Sequence, residues 1–378
     1  MKKVTVLGAG MVGSAIALDL IADYRVQVID ADQKKLSVLK KKAELQTVCL
    51  NLKNKNPLKE IIHDSDLVIG AVPGFMGFEV LKSVIEYGKN IVDISFFEED
   101  AFLLNELAKE KQVTAIIDCG VAPGMMNVIL GYYNQIMKVN EFVTYVGGLP
   151  FKRKWPYQYK APFSPTDVIE IYTRPARIVE QGNIIIKPPL SDSEYLDFEE
   201  VGTLEAFNTD GLRSLLHTVK VPYMKEKTLR YPGHIDYIKV LKASGFFDEN
   251  TVQVDGHPIK PIDLTTRLLF PLWKLEDGEE EFTAMRIIIK GEKENNQVEY
   301  LYDLFDRYNV KTSVSSMART TGYTCTAAAR LVLEGGFTRQ GICPPEYLGE
   351  NKECFDFIMK ELTKRGIHYK LTVNEMSQ

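Results

Sequence analysis

At 378 residues, with 45% hydrophobic and 26% charged residues, the chain is long enough for two domains and apolar enough to bury a core in each. The net charge of -5 and the scattering of lysines and arginines argue against a phosphate-backbone footprint, so nucleic acid is not an expected partner. No run approaches the roughly 18 apolar residues of a membrane span, Met1-Lys2-Lys3 leads straight into a short strand without a signal-peptide core, and Cys49, Cys119, Cys325, Cys343 and Cys354 form no Cys-x-x-Cys pair. These features predict a cytoplasmic protein with reduced thiols, no metal site and no membrane association.

In chain order, β-branched runs at 3–7, 26–29, 47–50, 67–69, 90–94 and 113–117 alternate with helical stretches at 12–22, 36–42, 57–63, 80–87 and 100–110. That alternation predicts βαβ units, hence a doubly wound Rossmann-type parallel sheet of six strands over residues 1–121. Beyond Gly120 the texture changes to one helix at 126–136, a strand at 142–147, a Pro/Tyr/Lys-rich loop at 150–165, and strand-like pieces at 183–187, 282–290 and 297–305. Segregated strands with few crossover helices predict an α+β second domain with a mixed or antiparallel sheet over 122–317. A helix at 321–334, rich in small residues (Gly322, Ala327, Ala328, Ala329), is expected to dock back on the first domain. It opens a tail, 318–378, with a second helix at 351–364 and a strand at 368–373 expected to return there too.

Gly8-Ala9-Gly10-Met11-Val12-Gly13 directly follows the first strand and opens the first helix, the context that gives a Gly-x-Gly-x-x-Gly pattern its meaning. Gly8 permits the tight turn, Gly10 admits a pyrophosphate to the backbone, and Gly13 lets the helix lie close to the strand; the helix N-terminus supplies N–H donors. Asp30, at the end of the second strand, suits the ribose hydroxyls of NAD and repels a 2′-phosphate, so NAD is the expected cofactor. Loops beyond the carboxyl ends of the strands should border the nicotinamide, which points to Val72, Pro73, Asp93, Ser95 and Phe96. Asp93 serves equally well as a loop cap.

The sixth strand ends in Asp118-Cys119-Gly120-Val121-Ala122-Pro123-Gly124-Met125-Met126-Asn127. Together with Gly147-Gly148-Leu149-Pro150, Phe163-Ser164-Pro165, Leu204-Glu205-Ala206-Phe207-Asn208-Thr209-Asp210 and Thr228-Leu229-Arg230-Tyr231-Pro232-Gly233, it resembles the saccharopine dehydrogenase-like reductases over nearly the whole chain. The wording is most similar to the lysine 6-dehydrogenase branch, including Thr320-Thr321-Gly322-Tyr323 and Pro344-Pro345-Glu346. The resemblance implies substrate contacts at Pro123, Gly124, Thr228, Leu229 and Arg230. One departure is informative: saccharopine reductases carry Asn-Arg-Asp where this chain has Asn208-Thr209-Asp210, and that arginine is implied to hold a substrate carboxylate. Threonine cannot replace an arginine fork. Its loss argues against saccharopine, with its three carboxylates, and suits a smaller amino acid such as lysine, whose one carboxylate falls to Arg213 or Arg230.

Removing hydride from an amine-bearing carbon requires a neutral amine, while lysine's side chain has a reference pKa of about 10.4. Asp118, His234 and Asp93 are the candidate acids and bases. On the lysine reading the imine hydrolyses to ammonia and an aldehyde that cyclises, a chemistry implied by the resemblance alone. The alternatives are a saccharopine or carboxynorspermidine type reductase acting on a secondary amine, and a non-catalytic NAD-responsive binding protein. Tyr223-x-x-x-Lys227 matches the spacing of a short-chain dehydrogenase pair but lies outside the Rossmann region. A homodimer is the expected assembly.

Overall fold

The computed structural model describes residues 1–53, 55–161, 165–276 and 278–375, so Phe163 and Ser164 lie outside the described residues. The chain divides into two compact units, Met1–Ile136 with Met317–His368, and Met137–Ser316 with Tyr369–Gln378.

In the first unit, β1 (Lys3–Leu7), β2 (Arg25–Asp30), β3 (Gln46–Cys49), β4 (Leu67–Gly70), β5 (Ile91–Asp93) and β6 (Thr114–Ile116) pair in parallel in the order β3-β2-β1-β4-β5-β6. Every residue of β1 and of β4 is buried, as strands covered on both faces must be. Leu7, Ile29, Val68, Ile91 and Ala115 pack against Leu81, Val84 and Ile85 of the helix Gly74–Glu86, so the core sits between sheet and crossover helices.

The second unit contributes β7 (Lys138–Pro150), β8 (Ala176–Glu180), β9 (Asn183–Lys187), β10 (Glu194–Phe198), β11 (Gly202–Thr209), β12 (Tyr223–Arg230), β13 (Val252–Val254), β14 (His257–Ile259), β15 (Glu281–Lys293) and β16 (Asn296–Arg307). Near the C-terminus follow β17 (Gly341–Cys343) and β18 (Tyr369–Glu375). The second sheet runs β10-β11-β12-β7-β15-β16-β18, with β8 and β9 attached beside β12. It is mixed: β12 pairs with β7 in parallel, and β11–β12, β7–β15 and β15–β16 are antiparallel. The α/β fold with a parallel first sheet and a mixed second sheet agrees with the sequence reading.

Four assignments differ. The helix Met125–Ile136, expected at the head of the second domain, belongs to the first unit. It packs backbone to backbone on the helix Glu346–Gly349: a Cβ on Gly131 would stand 2.2 Å from the Glu346 carbonyl oxygen, and one on Gly349 2.0 Å from that of Val128. The first sheet gains a seventh strand, β17, beside β6, whose three buried residues are too few to show a periodicity. The final strand, β18, does not return to the first sheet but pairs antiparallel with β16 through Leu304↔Tyr369 to Val298↔Glu375. The small-residue helix, Ser316–Glu334, starts five residues early and lies in the first unit with Gly322 against Ile16 and Val12. No described helix is long and apolar enough to cross a membrane.

Candidate active site

The glycine turn is shaped as the nucleotide chemistry demands. Gly8 has φ of +115°, and a Cβ there would lie 2.2 Å from the Ala71 carbonyl oxygen; one on Gly13 would lie 2.2 Å from that of Gly8. No atom stands within 4 Å of where a Gly10 Cβ would be, and Gly10 caps the helix Met11–Leu20 with no side-chain hydrogen bond and no acid in the first turn. With no side-chain cap and no acid in the first turn, the N-terminal end of this helix fits a dinucleotide pyrophosphate. Asp30 Oδ2 accepts from the Ala9 N–H at 2.7 Å and Oδ1 from the Asp32 N–H at 2.7 Å, which fixes the carboxylate at the carboxyl end of β2.

The other loops of this unit emerge at the same ends of the strands. Val72 is buried, exposed Pro73 caps the helix Gly74–Glu86, and Phe96 is half-buried beside buried Phe97. Asp93 and Ser95 are both interior: the Ser95 hydroxyl donates to Asp93 Oδ1 at 2.9 Å, and that oxygen lies 1.9 Å from where Gly70 would carry a Cβ. Buried Asp118 has φ of +50°, a conformation costly for a non-glycine residue. The loop after it closes through Gly124, where a Cβ would strike the Gly120 carbonyl oxygen at 1.9 Å. Asn127 holds the loop by accepting from the Gly124 N–H at 3.0 Å and donating to Glu346 Oε2 at 3.0 Å, both side chains being buried.

In the second unit, strand β12 carries the polar interior. Arg230, 2% exposed, donates through Nε to the Tyr172 hydroxyl at 2.9 Å and through Nη1 to the Leu229 carbonyl at 2.8 Å, with its guanidinium 4.2 Å from the Tyr159 ring centre. No carboxylate lies within ion-pair distance of it among the described residues; Glu205, opposite it on β11, accepts instead from the Gly233 N–H. In the same cluster the Tyr159 hydroxyl and Trp273 Nε1 are buried without hydrogen-bond partners, their rings 5.6 Å apart. A desolvated cation flanked by two unsatisfied donors has the chemistry to accept an anionic group.

His234 sits in this cluster but is removed from the candidate bases. Its Nε2 meets the Tyr172 hydroxyl at 2.9 Å and its Nδ1 the Tyr157 carbonyl at 2.8 Å, so neither nitrogen is left for a substrate. Burial, then the neighbouring Arg230 charge, push its pKa down to about 3. It is a neutral histidine that positions Tyr172. Leu229 also differs from expectation: its side chain is wholly buried against Gly147, leaving only its backbone for contacts. Arg213 is half-buried on the turn after β11 with φ of +45°. Thr228 is 7% exposed and shares a 2.9 Å hydrogen bond with Thr209.

Thr209, which stands where the arginine of the Asn-Arg-Asp pattern would be, donates to Glu226 Oε2 at 2.5 Å. Glu226 is buried, and its carboxylate fills the space a side chain on Gly211 would need. Burial raises its pKa to about 7, against the opposing hydrogen bond from Thr209. Sequence reading missed Glu226; its signal is an acid two residues before Thr228 and four before Arg230 in one strand, all facing the same way. Tyr223-x-x-x-Lys227 lies on that strand, with Lys227 bound to Glu194 and to the Asp192 carbonyl. Among the described residues no three His, Cys, Asp or Glu side chains are grouped to hold a metal ion.

The glycine turn on a parallel sheet, followed along the chain by a separate mixed sheet, is the architecture of two-domain pyridine nucleotide oxidoreductases. Residues 4–116 match the saccharopine dehydrogenase NADP binding domain and residues 120–367 the saccharopine dehydrogenase C-terminal domain, and the chain belongs to the saccharopine dehydrogenase family. It is 22% identical to the saccharopine dehydrogenase [NADP(+), L-glutamate-forming] of Pyricularia oryzae, over 98% of both chains. It is 21% identical to the carboxyaminopropylagmatine dehydrogenase of Synechocystis, over 99% of this chain and 98% of that one. Against the α-aminoadipic semialdehyde synthase of Arabidopsis thaliana it is 27% identical over 56% of its length, spanning only 21% of that relative; it spans 47% of the synthases of mouse and cattle. Apo saccharopine dehydrogenase (L-Glu forming) from Saccharomyces cerevisiae shares the fold, with a TM-score of 0.80 at 21% identity over 99% of this chain and 100% of that one.

Proposed function

We propose that this protein is an NAD-dependent dehydrogenase that oxidatively deaminates the side-chain amine of a small amino acid, L-lysine first, at the 6-position. The observation that carries this reading is the Thr209–Glu226 contact. At the position where the family resemblance implies a carboxylate-holding arginine, this chain presents a hydroxyl already bonded to an acid, a surrounding that repels a second substrate carboxylate. One buried guanidinium without an anion, Arg230, remains for the α-carboxylate, joined by the Tyr159 hydroxyl and Trp273 Nε1. Arg230 is favoured over Arg213 because desolvation strengthens a charge-assisted bond.

The cofactor accepts the hydride when bound. The residues of this chain do the rest. Gly8, Gly10 and Gly13 shape the turn for the pyrophosphate, and Asp30 presents its carboxylate to ribose hydroxyls while disfavouring a 2′-phosphate. NAD is therefore proposed, in contrast to the NADP in the names of several relatives. With His234 spent on two hydrogen bonds, Asp93 and Asp118 are the remaining candidates from the sequence for holding the proton lost by the amine. Hydride leaves the carbon as the amine becomes an imine, and water then yields ammonia and an aldehyde that condenses with the second amine.

The secondary-amine alternative keeps support from the names of the full-length relatives. Product analysis separates the two: equal amounts of NADH and ammonia per lysine consumed support the proposal. Glutamate release from saccharopine, or NADH consumption by an aldehyde with an amine donor, supports the alternative.

A further inference from the structure

Strand β12 carries two buried ionisable groups of opposite sign that form no ion pair with each other or with any other described residue. Glu226 and Arg230 are four residues apart, so their side chains leave the same face, with Cα atoms about 13 Å apart at roughly 3.3 Å per residue. The bond from Thr209 to both Glu226 and Thr228, and the contact of Tyr172 with both Arg230 and Phe207, place this face together, since Phe207 and Thr209 are the register partners of Thr228 and Glu226. Glu226 is 3% exposed and Arg230 2%, and among the described residues neither reaches an oppositely charged group within ion-pair distance. The register partner of Glu226 on β7, Thr144, is fully buried, and its hydroxyl has no hydrogen-bond partner. Each end thus has an unmatched charge and an unsatisfied polar neighbour: Thr144 beside Glu226, Tyr159 and Trp273 around Arg230.

Leaving two such charges unpaired is costly, and a ligand bearing a cation and an anion a few methylenes apart would satisfy both. We propose that Glu226 and Arg230 are the two ends of a zwitterion-binding row on β12, with Glu226 and Thr144 taking the substrate's side-chain amino group and Arg230 its carboxylate. This rests on the amino acid reading above and adds the residue that selects the amine. An ammonium offers three donors and no acceptor, which suits a carboxylate with a nearby hydroxyl. Burial raises the pKa of Glu226 to about 7, so a bound cation would favour its ionised form. Glu226 is therefore a positioning and specificity residue: it sets the length and charge of the substrate that spans the row.

The test is calorimetric binding of three probes, L-lysine, 6-aminohexanoate and hexanoate, to the wild-type protein with NADH present and to Glu226→Gln, Glu226→Asp and Arg230→Gln. Glu226→Gln should weaken lysine and 6-aminohexanoate at least about tenfold, one charge-assisted bond, and leave hexanoate unchanged. Glu226→Asp should recover part of that loss, and Arg230→Gln should weaken all three. Equal weakening of hexanoate by Glu226→Gln, unchanged binding of lysine, or no binding of any probe to the wild type would overturn the row. Binding with the expected pattern but no NADH formed from lysine would reject the reaction and keep the row.

Discussion

Two buried arginines, one in each unit, are satisfied in opposite ways. Arg330, on the helix Ser316–Glu334, reaches Asp19 at 2.8 Å and Asp23 at 2.7 Å, while neighbouring Arg365 takes Asp19 at 2.6 Å and Glu361 at 2.8 Å. That network ties the C-terminal segment to the helix Met11–Leu20 and leaves no cation over. Arg230, equally buried, lies among Tyr159, Tyr172 and Trp273 with no carboxylate in ion-pair distance among the described residues. A charge matched inside the fold stabilises the fold; a charge left unmatched is available to a ligand.

The comparison is sharpened by treating the two arginines alike. Arg330→Ala should lower unfolding free energy by about 3–5 kcal/mol, the cost of stranding buried partners, as read from urea midpoints. Arg230→Gln should change stability far less, within about 1 kcal/mol, yet lower kcat/KM for lysine by about 100-fold through the loss of a buried carboxylate anchor. If Arg230→Gln also destabilised by several kcal/mol with KM unchanged, the distinction between the two sites would fail.

Acids break the comparison along the pH axis. Burial alone would raise the pKa of Asp19, but the hydrogen bond from Arg365 and the charges of Arg330 and Arg365 hold it below the ordinary carboxylate value of 3.8. A depressed pKa gives stability that is present above that value and is lost as pH falls through the lower folded one. Wild type should lose urea resistance below about pH 4 more steeply than Asp19→Asn. Glu226 has the opposite sign: with a folded pKa of about 7, its contribution is full below the ordinary 4.5 and is lost as pH rises through 7. Glu226→Gln should therefore raise Tm at pH 8 and change it little at pH 4. A Tm gain of equal size at both would remove the buried-charge argument. The smallest expected effect is on cofactor choice: Asp30→Asn should narrow the NAD over NADP ratio by about tenfold, the loss of one charged hydrogen bond.

The first unit was readable because its chemistry is local. Gly8 to Gly13 and Asp30 are fixed by a strand, a turn and a helix in succession, and the βαβ rhythm needs only short-range periodicity. The second unit was readable as strands but not as a site. Thr144 comes beside Glu226 through strand register and Tyr159 comes beside Arg230 from a separate loop, and a sequence gives no register for a mixed sheet. His234 looked like a base because a histidine after a Pro-Gly turn carries no sign of the tyrosine hydroxyl and carbonyl that occupy it. β17 was missed because three residues hold too little pattern, and β18 was misassigned because an exposed strand that reads the same on either sheet is placed only by its partner. The domain boundary shifted from 121 to 136 because the packing of Gly131 and Gly349 is a contact between distant segments.

The most direct measurement is NADH formation at roughly pH 9–10, near the amine pKa, with L-lysine or saccharopine and with NAD or NADP. The account predicts turnover of lysine with NAD, little with NADP, and none of saccharopine. Turnover of saccharopine in preference to lysine would contradict it.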